Sequence, residues 1–388
     1  MILPANALFT SERLCDLAEP GDVPALRGGG FTSLMTEPPG RMAMPACRVT
    51  NRTDYALCDP VHGGADGKFP AALDYPGMMI TRLDDAFCLP HAPPFLPSRR
   101  QIVSDFLTPW APDNLAWFQH VAGGTYRFPW AMDTGDTEHD IDTGFYLEHA
   151  VSAHYGHFIG DCLCRIYAGE VCDALFNDVK VIISGGDGAD FQTYFLQAAG
   201  VPERSIVRMH GMVRCRHLLL ATQSLGVERY ASPTAAQLWS RIRDRCAARD
   251  VGLPDRLYLS RSGIGRRRLV NEHAVETIFE RHGFAIIRPE TLPVSVQVAL
   301  VSNALLVAGT GGSGMFNLAF QGRLRSAFIL RPDDFVQLLE MQMCAGHNVD
   351  LWYHLGHRSP APGESWVVDI VRLESDVSDW LRSHDSVR

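Results

Sequence analysis

Lysine is almost missing from this 388-residue chain: Lys68 and Lys180 are the only two, so arginine is its default cation. Neither follows the glycines at 309–314, so that loop is not a Walker-type phosphate loop, which needs such a lysine. No apolar run approaches the ~20 residues needed to cross a bilayer. The N-terminus carries neither a basic segment nor a long apolar one of the kind that makes a secretory signal. A cytoplasmic protein is the expectation. The ten cysteines (Cys15, Cys47, Cys58, Cys88, Cys162, Cys164, Cys172, Cys215, Cys246, Cys344) contain no C-x-x-C pair, which argues against a structural zinc or a dithiol redox site. Reduced, mostly buried thiols are expected, since free cysteine packs as a small hydrophobe. Internal repeats and low-complexity tracts are absent too.

What is present suits a globular protein: 46% of residues are apolar and 20% charged, over a length greater than one core usually serves. Two domains are expected. A net charge of −9 argues against nucleic acid or an anionic membrane as partner of the whole surface. The charge is unevenly placed. Residues 240–330 hold 13 Arg, no Lys and 7 acidic residues, so this stretch is +6 and the remainder −15. A basic island in an acidic protein points to a local anionic ligand.

Residues 1 to about 145 are rich in Pro and Gly without sustained periodicity, which predicts short strands and long connections. His154 to about Ala168 reads as a helix. Val179–Ser184 is a β-branched run closed by Gly185-Gly186, as in a buried strand and its turn. After Ser232-Pro233 a helix to about Arg249 leads into a strand at 256–260 and a basic loop at 261–268. Asn271 is then placed to cap a helix whose Val275, Ile278 and Phe279 share a face. A strand at 284–287, a helix at 293–302, a strand at 304–308, a glycine loop, a short helix and a strand to Leu330 follow. Such alternation predicts a parallel sheet covered on both faces. The expected domains are 1–232 and 233–388. A strand-like run at 366–370 and a helix at 375–383 follow a Pro-rich connection at 359–362. They can complete either domain, the helix by packing back on the first.

Three constellations carry chemistry. Gly309-Thr310-Gly311-Gly312-Ser313-Gly314 joins an apolar strand to a helix. Glycines there let backbone N–H groups approach a diphosphate, and the helix adds its positive end; a plain tight turn is the alternative. Ser260-Arg261, Arg266-Arg267-Arg268 and Asn271-Glu272 follow the carboxyl end of a strand, where open α/β sheets bind ligands. Arginine's planar fork suits phosphate, although a run of arginines also occurs on solvated loops. Asn271 and Glu272 read as a cap and a brace for this loop, with Glu272 also able to accept from a ribose. Finally, His154, His157 and Asp161 lie at i, i+3 and i+7. An ideal helix places them within an arc of roughly 60°. A carboxylate flanked by imidazoles suits general-base work, a divalent metal site or a structural histidine pair.

In these blocks the chain resembles glycosyltransferase family 61. That family includes bacterial capsular-polysaccharide transferases, plant xylosyl- and arabinosyltransferases, and animal enzymes that add N-acetylglucosamine to glycoproteins. The likeness runs from about Glu148 to Leu330. Its blocks are His154-Tyr155-Gly156-His157 with Asp161, Leu257–Arg261 through Arg268 to Asn271-Glu272, and Val307–Gly314 through Asn317-Leu318-Ala319-Phe320. One departure is plain: Thr310 and Gly311 stand where the family usually has Pro and His.

The resemblance implies an α/β fold of the GT-B type, with two Rossmann-like domains facing a cleft, and an inverting, metal-independent transfer. The donor is a nucleotide diphosphate sugar, expected to be UDP-linked, and no resident cofactor is implied. The acceptor is a saccharide or glycan. Asp161 is the expected base, oriented by His157, and Arg261, Arg266 or Arg268, Glu272, Thr310, Gly311, Gly312, Ser313, Gly314 and Asn317 face the donor. Glu148 and His154 fall on the acceptor side. Two other readings stay open at this point: a metal-dependent hydrolase using His154, His157 and Asp161, and a non-catalytic nucleotide or glycan binder. Peripheral attachment to a membrane is compatible with all three, and no amphipathic patch marks one.

Overall fold

Strand–helix alternation produces parallel pairing in two separate places. The computed structural model describes residues 1–17, 19–20, 32–52, 55, 57, 68–106, 117–169, 179–186, 189–246, 252–360 and 364–385. Contacts divide the chain into two units, Met1–Gly40 with Pro76–Ser224 and Arg41–Tyr75 with Leu225–Arg388. The division therefore falls at Ser224 rather than at 232. Arg41–Tyr75, expected in the first domain, joins the second because Cys47–Val49 pairs as a parallel strand with Asp350–Arg358.

In the first unit the N-terminal residues form short strands, as their Pro and Gly content predicts. Helix before residue 145 is confined, among the described residues, to Leu14–Leu17 and a 3-10 turn at Ser104–Phe106. The long strand Met78–Cys88 runs antiparallel to Val213–Ala221. Beyond it the strands become parallel, in the order Val213–Ala221, His139–Tyr146, Lys180–Ser184, Ile206–Met209. Read along the chain, that order is fourth, first, second, third. Strand order thus reverses between His139–Tyr146 and Val213–Ala221, and ligands of open α/β sheets bind outside the carboxyl ends at such a reversal. Leu83, Tyr146, Ile182 and Leu218 build the core beneath it.

In the second unit five parallel strands lie in the order Ala285–Ile287, Arg256–Leu259, Leu306–Thr310, Ser326–Pro332, Asp350–Arg358. Here the reversal falls between Arg256–Leu259 and Leu306–Thr310. Leu306–Thr310 and Ser326–Pro332 are buried at every position, which is why their sequences are nearly unbroken apolar runs. Helix Glu272–Arg281 buries Val275, Ile278 and Phe279 as its periodicity predicts, and Phe279 stacks on Tyr258 with centroids 4.7 Å apart.

The last helix is longer than expected, Ile370–Asp385. Its Leu373, Val377, Trp380 and Leu381, at helical spacing, enter the same core as Phe284 and Phe328, and Trp380 Nε1 donates to Ser326 Oγ at 2.8 Å. It completes the second unit rather than packing on the first. Asn271 occupies the position before helix Glu272–Arg281 but makes no side-chain cap. Its amide instead donates to Val368 O at 2.8 Å and accepts from Val368 N at 3.3 Å, so a distant tertiary partner outcompetes the local one.

Cys88, Cys162, Cys164, Cys215 and Cys344 are buried thiols. Cys58, Cys172, the expected helix end at Arg249 and the Pro-rich connection at 361–362 lie outside the described residues. Among the described residues no helix is long and apolar enough to cross a membrane.

Candidate functional site

The chain expected to be one regular helix from His154 changes pitch twice. An α-helical turn at Tyr155–His157 passes into a π-helical turn at Phe158–Cys162 and then a 3-10 stretch at Leu163–Ala168. Widened turns of this kind are frequent at functional sites. Here the wide turn carries Asp161. His157 Nδ1 and Asp161 Oδ2 lie 2.8 Å apart, and Gln223 Nε2 donates to Asp161 Oδ1 at 3.1 Å. Gln223 comes two residues after the carboxyl end of Val213–Ala221, and His149 three after that of His139–Tyr146. The group therefore sits at the strand-order reversal of the first unit.

His154 is not the third member of this group. It is exposed before the first helical turn, its ring 5.1 Å from that of His157. The buried His149 takes the place, stacked on His157 at 6.2 Å with 15° between the rings. Donor atoms of His149, His157 and Asp161 all lie within 4.8 Å of one another, so among the described residues this is the trio that can hold a cation. Sequence spacing misses His149 because it precedes the helix. The signal that finds it is its position just past a strand end.

Burial would push the Asp161 carboxyl up, but the hydrogen bond from His157 and the charges of His149, His157 and Arg165 outweigh it and hold the group below its usual range. Burial likewise pushes His149 down, which favours a neutral imidazole. Glu148 is fully buried. It accepts from Ser152 Oγ and Ser184 N and stands 3.4 Å from His91 Nδ1. These partners overcome burial and keep it ionised. The expected acceptor-side carboxylate is thus tied into the protein.

Arg165, 1% exposed, stacks on Phe106 at 4.0 Å and donates to Asp161 O at 3.1 Å, Ala221 O at 2.6 Å and Asp105 O at 3.1 Å. It fastens the Asp161 turn to the strand beside it. Arg165→Met should lower stability by about 3 kcal/mol or more, since each buried carbonyl left unpaired costs about 1–3 kcal/mol. Urea unfolding would read this as a lower midpoint at unchanged slope.

In the second unit the basic loop and the glycine loop meet at the carboxyl ends of the two strands that flank the reversal. The contact is direct: a Cβ on Gly312 would fall 1.6 Å from Arg261 Nη1. Gly312 has φ 151° and ψ −168°, a region essentially reserved for glycine. Gly312→Ala should therefore both strain the backbone, by about 1–3 kcal/mol, and displace the Arg261 guanidinium. A raised donor KM and a lower melting temperature would appear together. Gly311 N–H is already given to Leu330 O at 2.9 Å and so is not offered to a ligand.

Glu272 braces this corner. Its Oε1 accepts from Arg261 N at 2.6 Å and Thr310 Oγ1 at 3.2 Å, while Oε2 is buried without a hydrogen-bond partner. Burial raises its carboxyl above the usual range. Asn317 is buried and donates to Gln297 Oε1 at 3.0 Å and Gly314 O at 3.1 Å, and so frames the glycine loop. Arg266 and Arg268 are exposed at the surface. Arg267, with φ 51°, turns inward over Phe335 at 4.4 Å. The middle arginine is thus the one the loop turns inward onto Phe335, which a reading of the run alone does not reveal.

A His157–Asp161 dyad thus lies at the strand-order reversal of one unit and a glycine loop lined by arginine at that of the other, in a chain of mixed α/β architecture. Residues 155–327 match the family model described as Glycosyltransferase 61, which supports assigning this stretch to that family. No curated protein matches the chain significantly.

Proposed function

We propose that the protein moves a sugar from a nucleoside diphosphate donor to a hydroxyl of a saccharide acceptor, with inversion at the anomeric carbon. The observation that carries the reading is the His157–Asp161 dyad, held at a strand-order reversal inside the stretch that matches the family. Donor binding is assigned to the second unit and acceptor activation to the first, the division of labour of a GT-B enzyme. The parallel strands found in both units support it.

The acceptor oxygen attacks the anomeric carbon opposite the leaving diphosphate, which inverts that centre. Its proton passes to the dyad. His157 is the more exposed member, at 31% against 11% for Asp161, and Asp161 is held in its ionised form. This favours His157 as acceptor of the proton and Asp161 as the group that orients the ring and balances its charge. The expected roles of the two are thereby exchanged. Charge developing on the leaving diphosphate meets Arg261 and the backbone of the glycine loop at Gly312, and preorganised donors of this kind are each worth ~100-fold or more in rate.

The test is a panel of nucleoside diphosphate sugars, with and without EDTA, scored by thermal shift and by release of free nucleotide. A shift with one donor, slow hydrolysis of it and indifference to EDTA support the reading and name the sugar. Activity lost to EDTA would instead assign the His149, His157 and Asp161 trio to a metal. Silence with every donor would overturn the transferase.

A further inference from the structure

Arg331 lies in strand Ser326–Pro332, one strand beyond the glycine loop, and is 1% exposed. Its Nη1 donates to Gln337 Oε1 at 2.7 Å, its Nη2 pairs with the carboxylate of the fully buried Glu340, and its Nε has no hydrogen-bond partner. That unpartnered edge faces the loop. A Cβ on Gly311 would fall 2.3 Å from Arg331 Nε and 2.6 Å from Cζ, so the guanidinium fills the space any side chain at 311 would need.

Two further guanidiniums share the neighbourhood. Arg261 lies against Gly312, and the Arg267 guanidinium sits 4.4 Å from the Phe335 ring with that of Arg331 5.9 Å from the same ring. After burial, the charge of Arg331 is the strongest influence lowering both Arg261 and Arg267. Three like charges drawn together repel one another, and a multiply charged anion at the loop relieves that repulsion. A buried ion pair is also a poor device for stability, since apolar replacements of similar volume often serve as well or better. The Arg331–Glu340 pair has a different use in this position: its acidic end points away from the loop and its cationic end toward it.

Resting on the donor reading above, we propose that Arg331 is a positioning residue for the donor diphosphate, and that position 311 is glycine because the Arg331 guanidinium occupies its side-chain space. Arg331 acts through the loop. It fixes Gly311 and Gly312, hence the seat of Arg261, and it adds positive potential beneath the two phosphates.

The experiment is a thermodynamic cycle on binding of UDP, GDP, ADP, dTDP and inorganic pyrophosphate, measured by calorimetry. The variants are Gly311→Ala, the double Arg331→Met/Glu340→Leu, and their combination. The double variant removes both charges at once and leaves no buried ion unpaired, so it should fold with a melting temperature near that of the parent. Its affinity for the bound diphosphate should fall about tenfold, seen with the sugar donor as a rise in KM at little changed kcat. Gly311→Ala alone should give a similar loss. In the Arg331→Met/Glu340→Leu background, however, the alanine should add almost nothing, because the group it displaces is gone. Full diphosphate affinity in the folded double variant, or an equal loss from Gly311→Ala with and without Arg331, would overturn the inference while the donor reading stood. A parent protein that binds no diphosphate and no pyrophosphate would overturn both. Should the double variant fail to fold, Gly311→Ala binding as tightly as the parent suffices to refute the proposal.

Discussion

Asp161→Asn should cut sugar transfer by ~100-fold or more, the usual worth of a positioned proton acceptor, because His157 loses the partner that positions it, with nucleotide affinity unchanged. The replacement keeps size and the Gln223 contact but can turn an N–H₂ toward His157 Nδ1, which removes the partner that fixes the ring's tautomer. It also removes the negative charge that would balance an imidazolium formed during the reaction. His157→Gln should match it in rate, and the pair Asp161→Asn/His157→Gln should be hardly worse than either, because the two act as a unit. Since Asp161 is held below its ordinary value, the fold favours its ionised form. Its stabilising contribution is complete above the unfolded carboxyl value and fades only as pH falls through the depressed folded value. Unfolding measured from pH 7 to acid should therefore show parent and Asp161→Asn converging at low pH. Turnover of Asp161→Asn at the parent rate would remove the dyad from the reaction.

Much of the second unit was legible in the sequence because its strands are buried on both faces and so appear as unbroken apolar runs between helices with one apolar face. Leu306–Thr310, Ser326–Pro332 and Glu272–Arg281 are cases where local pattern and tertiary environment agree. The role of Arg41–Tyr75 was hidden, since a three-residue strand such as Cys47–Val49 has no period of its own and is defined by a partner some 300 residues away. At the site, the three blocks were found but individual members were misjudged wherever backbone geometry departs from the ideal. The π-helical turn and the strand end, not a 100° step, bring His149 rather than His154 to His157. A positive φ turns Arg267 inward between two exposed neighbours. The substitution at Gly311 was visible, while its occupant Arg331 lies on the next strand and no sequence spacing connects the two.

Arg261→Ala should act on the other half of the reaction and weaken donor binding first, by roughly 30-fold or more, the loss of one well-formed charged contact. The loop should survive the change. Glu272 holds it through the Arg261 backbone N–H, which alanine retains, and Thr310 contributes to the same carboxylate. Among the described residues, the hydrogen bond lost with the side chain is the exposed one from Arg261 Nη2 to Arg266 O. Arg261→Lys should recover only part of the affinity, because an ammonium supplies charge but not the planar pair of donors that matches a phosphate edge. Salt should weaken parent binding more steeply than that of Arg261→Ala, as screening acts on the missing charge. A cycle with Gly312→Ala separates seat from contact. If the guanidinium rests on Gly312, alanine there costs donor affinity in the parent and little in Arg261→Ala, leaving backbone strain as its sole remaining effect. Equal costs in both backgrounds would mean that the Gly312 contact has no part in presenting Arg261 to the diphosphate.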